Sequence, residues 1–161
     1  MPSPCEILRN FTEDILRMKE KSEREGREYA VAICKVNDNY LLGEMIAGRE
    51  HEIAVISRCE SGDRVGIIHT HPRRKYSEFS SVDLMPHFYD DQFICVIATK
   101  SNTVRCITYP KNKENRKELF WEIFDLRKKE GWMADFLLPE IIEKYKLKEC
   151  GLDLKTGKII E

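Results

Sequence analysis

The chain has 161 residues, 42% of them hydrophobic and 34% charged, with 27 Lys plus Arg against 28 Asp plus Glu. That length fits one globular domain and the apolar share excludes a disordered tail protein. The net charge of -1 supplies no general attraction to nucleic acid or to an anionic membrane. No apolar run approaches the roughly 18 residues that span a bilayer. The opening MPSPCEILRN carries an acid where a signal peptide is basic and then apolar, so a cytoplasmic protein is expected.

Ser3-Pro4-Cys5-Glu6 sets a Ser cap, a Pro in the first turn and a Glu behind it, which predicts a helix start. Ile7, Leu8, Phe11, Ile15 and Leu16 recur at helical spacing, and Gly26 ends the run. From Glu28 the pattern turns to strands: YAVAICKV, an Asn37-Asp38-Asn39 turn, YLLGEMI, a break at Gly48, EIAVIS, the polar CESGDR loop and GIIHTH. Pro72 and the cationic Arg73-Arg74-Lys75 close that last strand, and Ser80-Ser81-Val82-Asp83 opens a short helix. FICVIAT and TVRCITY follow as strands around Lys100-Ser101-Asn102. Leu119, Phe120, Ile123, Phe124 and Leu126 predict a helix ending at Gly131. Trp132, Phe136, Leu137, Ile141, Ile142 and Tyr145 predict another, with Pro139 as a kink or restart. Trp132 and its neighbours read as core or as a partner-facing helix. The tail GLDLKTGKIIE forms a small hairpin at Thr156-Gly157 or stays loose. A helix, then strands, then helices make an α/β domain with a mixed or largely antiparallel sheet. Its expected core covers about 5-110, a helical extension about 111-150 and a tail 151-161.

The six cysteines, Cys5, Cys34, Cys59, Cys95, Cys106 and Cys150, include no CxxC pair, and in a reducing compartment they read as small buried hydrophobes. Of the four histidines, His51, His69, His71 and His87, two form His-Thr-His. Residues i and i+2 of a strand share a face, so His69 and His71 can approach one ion. A catalytic zinc takes three protein ligands and keeps one position open, so a third donor is needed. Asp83 supplies it if the segment after Pro72 folds back. Alone, Ser80-x-x-Asp83 reads as a helix cap with an acid at the positive end. An apolar strand into His-x-His-Pro, a polar loop and then Ser-x-x-Asp reads as a metal site.

These residues, His69, His71, Pro72, Ser80 and Asp83, resemble the His-x-His-Pro, loop, Ser-x-x-Asp pattern of the JAMM (MPN+ or JAB) zinc metallopeptidase family. GIIHTHP and FSSVDL resemble the corresponding segments of AMSH-type deubiquitinases. The likeness covers roughly Glu28 to Tyr109, its specific motif only Gly66 to Leu84, and the loop from His71 to Asp83 is one residue longer than the usual spacing. The resemblance implies a JAB/MPN-like, cytidine-deaminase-like mixed sheet flanked by helices. It also implies one catalytic Zn2+ on His69, His71 and Asp83, Ser80 as a stabiliser of the oxyanion, and an upstream glutamate as general base. Glu28, just before YAVAI, fits that role by placement; Glu44, inside the second strand, is the alternative.

The implied activity is isopeptidase or peptidase cleavage of ubiquitin, a ubiquitin-like modifier or a sulfur-carrier protein from a lysine conjugate or precursor. Its implied partners are such conjugates with their activating and conjugating enzymes, and neither nucleic acid nor membrane. Arg73, Arg74 and Lys75 would border the groove for a carrier's extended tail. His51 and His87 could join a second metal, but no spacing reproduces the structural zinc of AMSH-type enzymes. Two other readings are a scaffold module of the same fold without catalysis and a RadC-like protein. Retention of the ligand set speaks against the first, and the near-neutral charge against the second.

Overall fold

The computed structural model describes residues 2–48, 57–85 and 91–161. The expected strand EIAVIS (except Ser57), His51 and His87 lie outside the described residues.

The N-terminal helix forms in two pieces. Ser3 Oγ accepts the Glu6 N–H at 3.2 Å, Pro4 fills the first turn, and α1 runs Pro4–Leu8. A short 3-10 turn, Arg9–Phe11, separates it from α2, Thr12–Glu25. Gly26 caps α2 in the left-handed region at φ 65°, where a glycine carries no Cβ penalty. The strands follow as β1 Tyr29–Val36, β2 Asn39–Ala47 and β3 Asp63–His71, then α3 Ser81–Leu84, β4 Phe93–Ala98 and β5 Thr103–Thr108. The last third holds α4 Lys113–Glu130, a 3-10 segment Gly131–Leu137, α5 Leu138–Lys144, β6 Lys148–Asp153 and β7 Ile159–Ile160. Pro139 stands in the first turn of α5, so it restarts the helix.

Among the described residues seven strands make one mixed sheet in the order β2-β1-β3-β4-β5-β6-β7. Only the β3–β4 pair is parallel; every other neighbour is antiparallel. Alternation along the strands separates two cores. Tyr29, Val31, Ile33, Ile68, Phe93, Cys95 and Cys106 pack with Cys5, Leu8, Ile15 and Met18 of α1 and α2. Ala30, Ile67, Ile94 and Ile107 pack on the opposite face with Leu84 of α3, Leu119 and Ile123 of α4, and Leu138 and Ile141 of α5. The chain is thus an α/β domain of three layers. At the β3–β4 pair the Phe93 ring lies 2.5–2.7 Å from where a Cβ on Gly66 would stand, so the close parallel crossing depends on glycine there.

One open alternative is decided and two expectations change. The tail is a full member of the sheet: β6 pairs with β5 along its whole length, and β7 closes the hairpin with Gly157 at φ 73°. Its inward residues Leu152 and Leu154 are separated by the turn from Ile159, which packs against the same core, so the run is too short for a clear alternating signal. Trp132 and Phe136 are 71% and 70% exposed, so they are surface rather than core. The cysteines are not isolated thiols but three disulfides, Cys5–Cys150, Cys34–Cys59 and Cys95–Cys106. Among the described residues no helix is long and apolar enough to cross a membrane.

Candidate functional site

His69 and His71 end β3, where alternation turns both toward the α3 and α4 side of the sheet while Thr70 faces α2. Thr70 anchors the next strand. Its Oγ1 accepts the Tyr29 N–H at 2.9 Å and donates to Ser22 Oγ at 2.7 Å, and Ser22 Oγ donates to the Arg27 carbonyl at 2.6 Å. These bonds grip the residues on either side of Glu28, and its own carbonyl accepts the Gly48 N–H at 2.7 Å. Glu28 is thereby held beside His69, with Oε1 at 3.0 Å from Nδ1.

Asp83 arrives from the other direction. Pro72 and Arg73, the latter at φ 62°, turn the chain after His71, and the Arg73 N–H is held by Glu23 Oε2 at 3.0 Å and Thr99 Oγ1 at 2.8 Å. The loop returns to Ser80, which caps α3. Ser80 Oγ accepts the Asp83 N–H at 3.2 Å, and Asp83 Oδ2 accepts the Ser80 N–H at 2.7 Å. The cap leaves Asp83 Oδ1 at 3.4 Å from His71 Nε2 and 3.6 Å from His69 Nε2. Helix cap and ligand geometry, alternatives in the sequence, are one arrangement.

Glu28, His69, His71 and Asp83 each offer a ligand atom, and all four atoms lie within 4.8 Å of one another. His69, His71 and Asp83 are buried, whereas the Glu28 side chain is 42% exposed and stands at the mouth. Burial alone would lower the His69 pKa, but the Asp83 charge and the Glu28 hydrogen bond outweigh it and raise it above 6.5. Burial pushes the Asp83 carboxyl up, and the His69 charge and the His71 hydrogen bond overcome this to hold it well below the ordinary carboxylate range. The carboxylates of the cluster therefore favour a positive charge between them, which a protonated His69 or a metal ion can supply. Two imidazoles and a carboxylate with converging donor atoms fit a zinc-type ion with an open position. The buried Nδ1 of His71 finds no hydrogen-bond partner among the described residues.

Of the two candidate bases, Glu28 joins the cluster and Glu44 does not; Glu44 is exposed on β2. Arg73 lies against the Gly26 turn, while Arg74 and Lys75 are exposed. Sequence reasoning missed the residues that brace the site from afar. Asp135 Oδ1 accepts the Ser81 N–H at 2.7 Å, and Arg127 donates to Ser81 Oγ at 2.6 Å, so the C-terminal segment holds the first turn of α3. Glu23 on α2 holds the turn after His71 and also accepts from the Thr99 hydroxyl. No local signal marks these contacts, because the partners lie 46 to 76 positions apart.

No protein-family model matches the chain, and neither a curated protein nor a solved structure gives a match.

Proposed function

We propose that the protein is a zinc-dependent isopeptidase or peptidase of the JAMM type, with a JAB/MPN-like sheet. Its substrate would be ubiquitin, a ubiquitin-like modifier or a sulfur-carrier protein, released from a lysine conjugate or precursor. One observation carries the reading: two histidines from one strand end, an aspartate from a capped helix and a glutamate just before the neighbouring strand bring their ligand atoms within 4.8 Å. A scatter of solvated carboxylates and imidazoles gives no reason for three of these four to be buried together.

His69, His71 and Asp83 would hold the zinc, which when bound supplies Lewis-acid charge and a water acidified toward a pKa of about 7. The chain's own groups then divide the work. Glu28, open at the mouth, takes the proton of the attacking water and returns one to the departing amine. Ser80 Oγ accepts from the Asp83 N–H, which leaves the hydroxyl proton to donate to the oxyanion forming on the carbonyl carbon. The Ser80–Asp83 cap keeps both groups in register with the histidines, so little reorganisation is needed at reaction. A cytoplasmic setting belongs to the same proposal, as do modifier-conjugating enzymes as partners; in that setting disulfides are transient ones.

The test is zinc per chain together with chelator-sensitive cleavage of a modifier–lysine conjugate, in wild type and in His71→Ala. Expected are one zinc per wild-type chain, cleavage that stops on chelation and returns with zinc, and neither in His71→Ala. Wild-type protein that stays zinc-free after purification under zinc-replete conditions sinks the reading.

A further inference from the structure

Four of the six cysteines form a continuous row that the proposed chemistry does not use. Cys95 of β4 is opposed to Cys106 of β5, and Cys106 is opposed to Cys150 of β6, so the three stand side by side on the face covered by α1. Cys5 of α1 completes the row from above. Two disulfides occupy it, Cys5–Cys150 and Cys95–Cys106, yet the sulfurs of Cys5, Cys106 and Cys150 all lie within 4.8 Å of one another. Cys106 thus has two sulfur neighbours besides its own partner. Cys34–Cys59, on β1 and the segment before β3, belongs to another part of the strand order.

We propose that this row is a thiol–disulfide exchange site that takes a dithiol reductant as its substrate and passes the disulfide one strand along the sheet. Entry is at Cys150, which is 9% exposed, while Cys5, Cys95 and Cys106 are at 0–1%. A dithiol attacks the Cys5–Cys150 bond, forms a mixed disulfide and resolves it with its second thiol. The dithiol loses two electrons and two protons, and Cys5 and Cys150 gain both as thiols. The Cys150 thiolate then attacks the sulfur of Cys106; the Cys106–Cys150 bond forms, the Cys95–Cys106 bond breaks, and Cys95 leaves as the thiolate. This second step needs no further oxidant or reductant. A position with a sulfur neighbour on either side makes such a transfer local, and burial of Cys95 and Cys106 shields the inner bond from direct attack by solvent thiols. The result is a chain in which α1 is untethered from β6 while β5 and β6 become linked.

The experiment treats the full-length oxidised protein, under native conditions, with one equivalent of dithiothreitol, quenches at intervals into denaturant with excess N-ethylmaleimide so that buried thiols are labelled, and maps linkages by peptide mass spectrometry. The expected product is a Cys106–Cys150 linkage with label on Cys5 and Cys95, and Cys34–Cys59 intact. A two-electron-reduced pool in which label stays on Cys5 and Cys150, with Cys95–Cys106 retained throughout, overturns the proposal. Linkage of Cys34 or Cys59 to any of the four also overturns it, since exchange then runs through the unfolded chain. Cys5→Ser provides a second test without reductant. It leaves Cys150 as a thiol, and loss of the Cys95–Cys106 linkage is expected with an equal gain of Cys106–Cys150. Label confined to Cys150 in that variant counts against the transfer.

Discussion

Ser80 and Asp83 hold each other: the Asp83 carboxylate accepts the Ser80 N–H at 2.7 Å and Ser80 Oγ accepts the Asp83 N–H at 3.2 Å. Both oxygens of that carboxylate meet His71 Nε2, Oδ2 at 3.3 Å and Oδ1 at 3.4 Å, so the cap and the proposed ligand share atoms. Substitutions here should separate stability from chemistry. Ser80→Ala removes the cap hydroxyl and the oxyanion donor; it should cost about 1 kcal/mol of stability and roughly 10²–10³-fold in turnover while zinc stays bound. Asp83→Asn keeps an amide oxygen for the Ser80 N–H but removes the charge, so zinc should be lost with the fold retained. Metal analysis and thermal denaturation on the two variants check the pair; Ser80→Ala protein without zinc would contradict the division.

Glu28 sits on His69 Nδ1 at 3.0 Å and Glu44 lies outside the cluster on β2. Glu28→Gln should retain zinc, because His69, His71 and Asp83 remain, and should lose about 10²–10⁴-fold in turnover as the proton acceptor disappears. Glu44→Gln should match wild type. Rates and zinc content for both variants decide the assignment, and a fully active Glu28→Gln protein would remove Glu28 from proton transfer.

How much of this was legible in the sequence depends on the range of the interaction. Ser3 with Glu6, Gly26, the His-Thr-His alternation and Ser80 with Asp83 are all readable because each device spans four residues or fewer. The break at Arg9–Phe11 was not: Ile7, Leu8, Phe11, Ile15 and Leu16 keep helical spacing straight through it, so periodicity carries no sign of the 3-10 turn. The cysteine pairs were hidden for a different reason. Cys5 and Cys150 are 145 positions apart, and only the placing of α1 over β5 and β6 brings them together. Asp135, Arg127 and Glu23 are ordinary charged residues in a charge-rich chain until tertiary contact selects them.

The pairing of His69 with Asp83 gives the metal-free protein a pH dependence of definite sign. His69 has its pKa raised in the folded state, so its contribution is complete below the ordinary 6.5 and is lost as pH rises through the raised value. Asp83 is lowered, so its contribution is complete above 3.8 and is lost as pH falls. Chelated protein should therefore lose Tm as pH rises above 6.5 through this pair. Zinc competes with the same protons, so its stabilising effect should grow over that range. Melting curves with and without zinc across the range test this, and parallel curves would remove the cluster as the coupled site.

Asp135 reaches from the C-terminal segment to the first turn of α3, accepting the Ser81 N–H beside the cap. Ser81 is fully buried, so Asp135→Ala should strand that N–H at a cost of about 1–3 kcal/mol. Because the loss falls on the turn that orients Ser80 and Asp83, turnover should drop more than the small stability change implies, while Asp135→Asn, which keeps an oxygen in place, should restore much of it. Turnover, zinc content and Tm for the two variants give the answer; equal behaviour of alanine and asparagine would mean the bond does not position the site.

Arg64 and Asp91 brace the β3–β4 crossover from its other end. Both Asp91 oxygens meet the Arg64 guanidinium at 2.9 Å, a third donor reaches the Ser57 carbonyl at 3.0 Å, and Gln92 N–H bonds the Val65 carbonyl at 2.7 Å alongside. Asp91 is 1% exposed, so the pair is desolvated on the carboxylate side and solvent screening is weak there. Asp91→Ala leaves the guanidinium without its anion in a partly buried position, which should cost about 3–5 kcal/mol, or roughly 6–20 °C in Tm for a chain of this size. Arg64→Met with Asp91→Leu removes both charges and should recover most of that loss, since the penalty lies in the unpaired charge more than in the missing attraction. Denaturation of Arg64→Met, Asp91→Leu and the double variant closes the cycle, with Asp91→Ala as the reference for the unpaired charge. A double variant as unstable as Asp91→Ala would instead place the stabilisation in the specific fork geometry, with Ser57 as its third point.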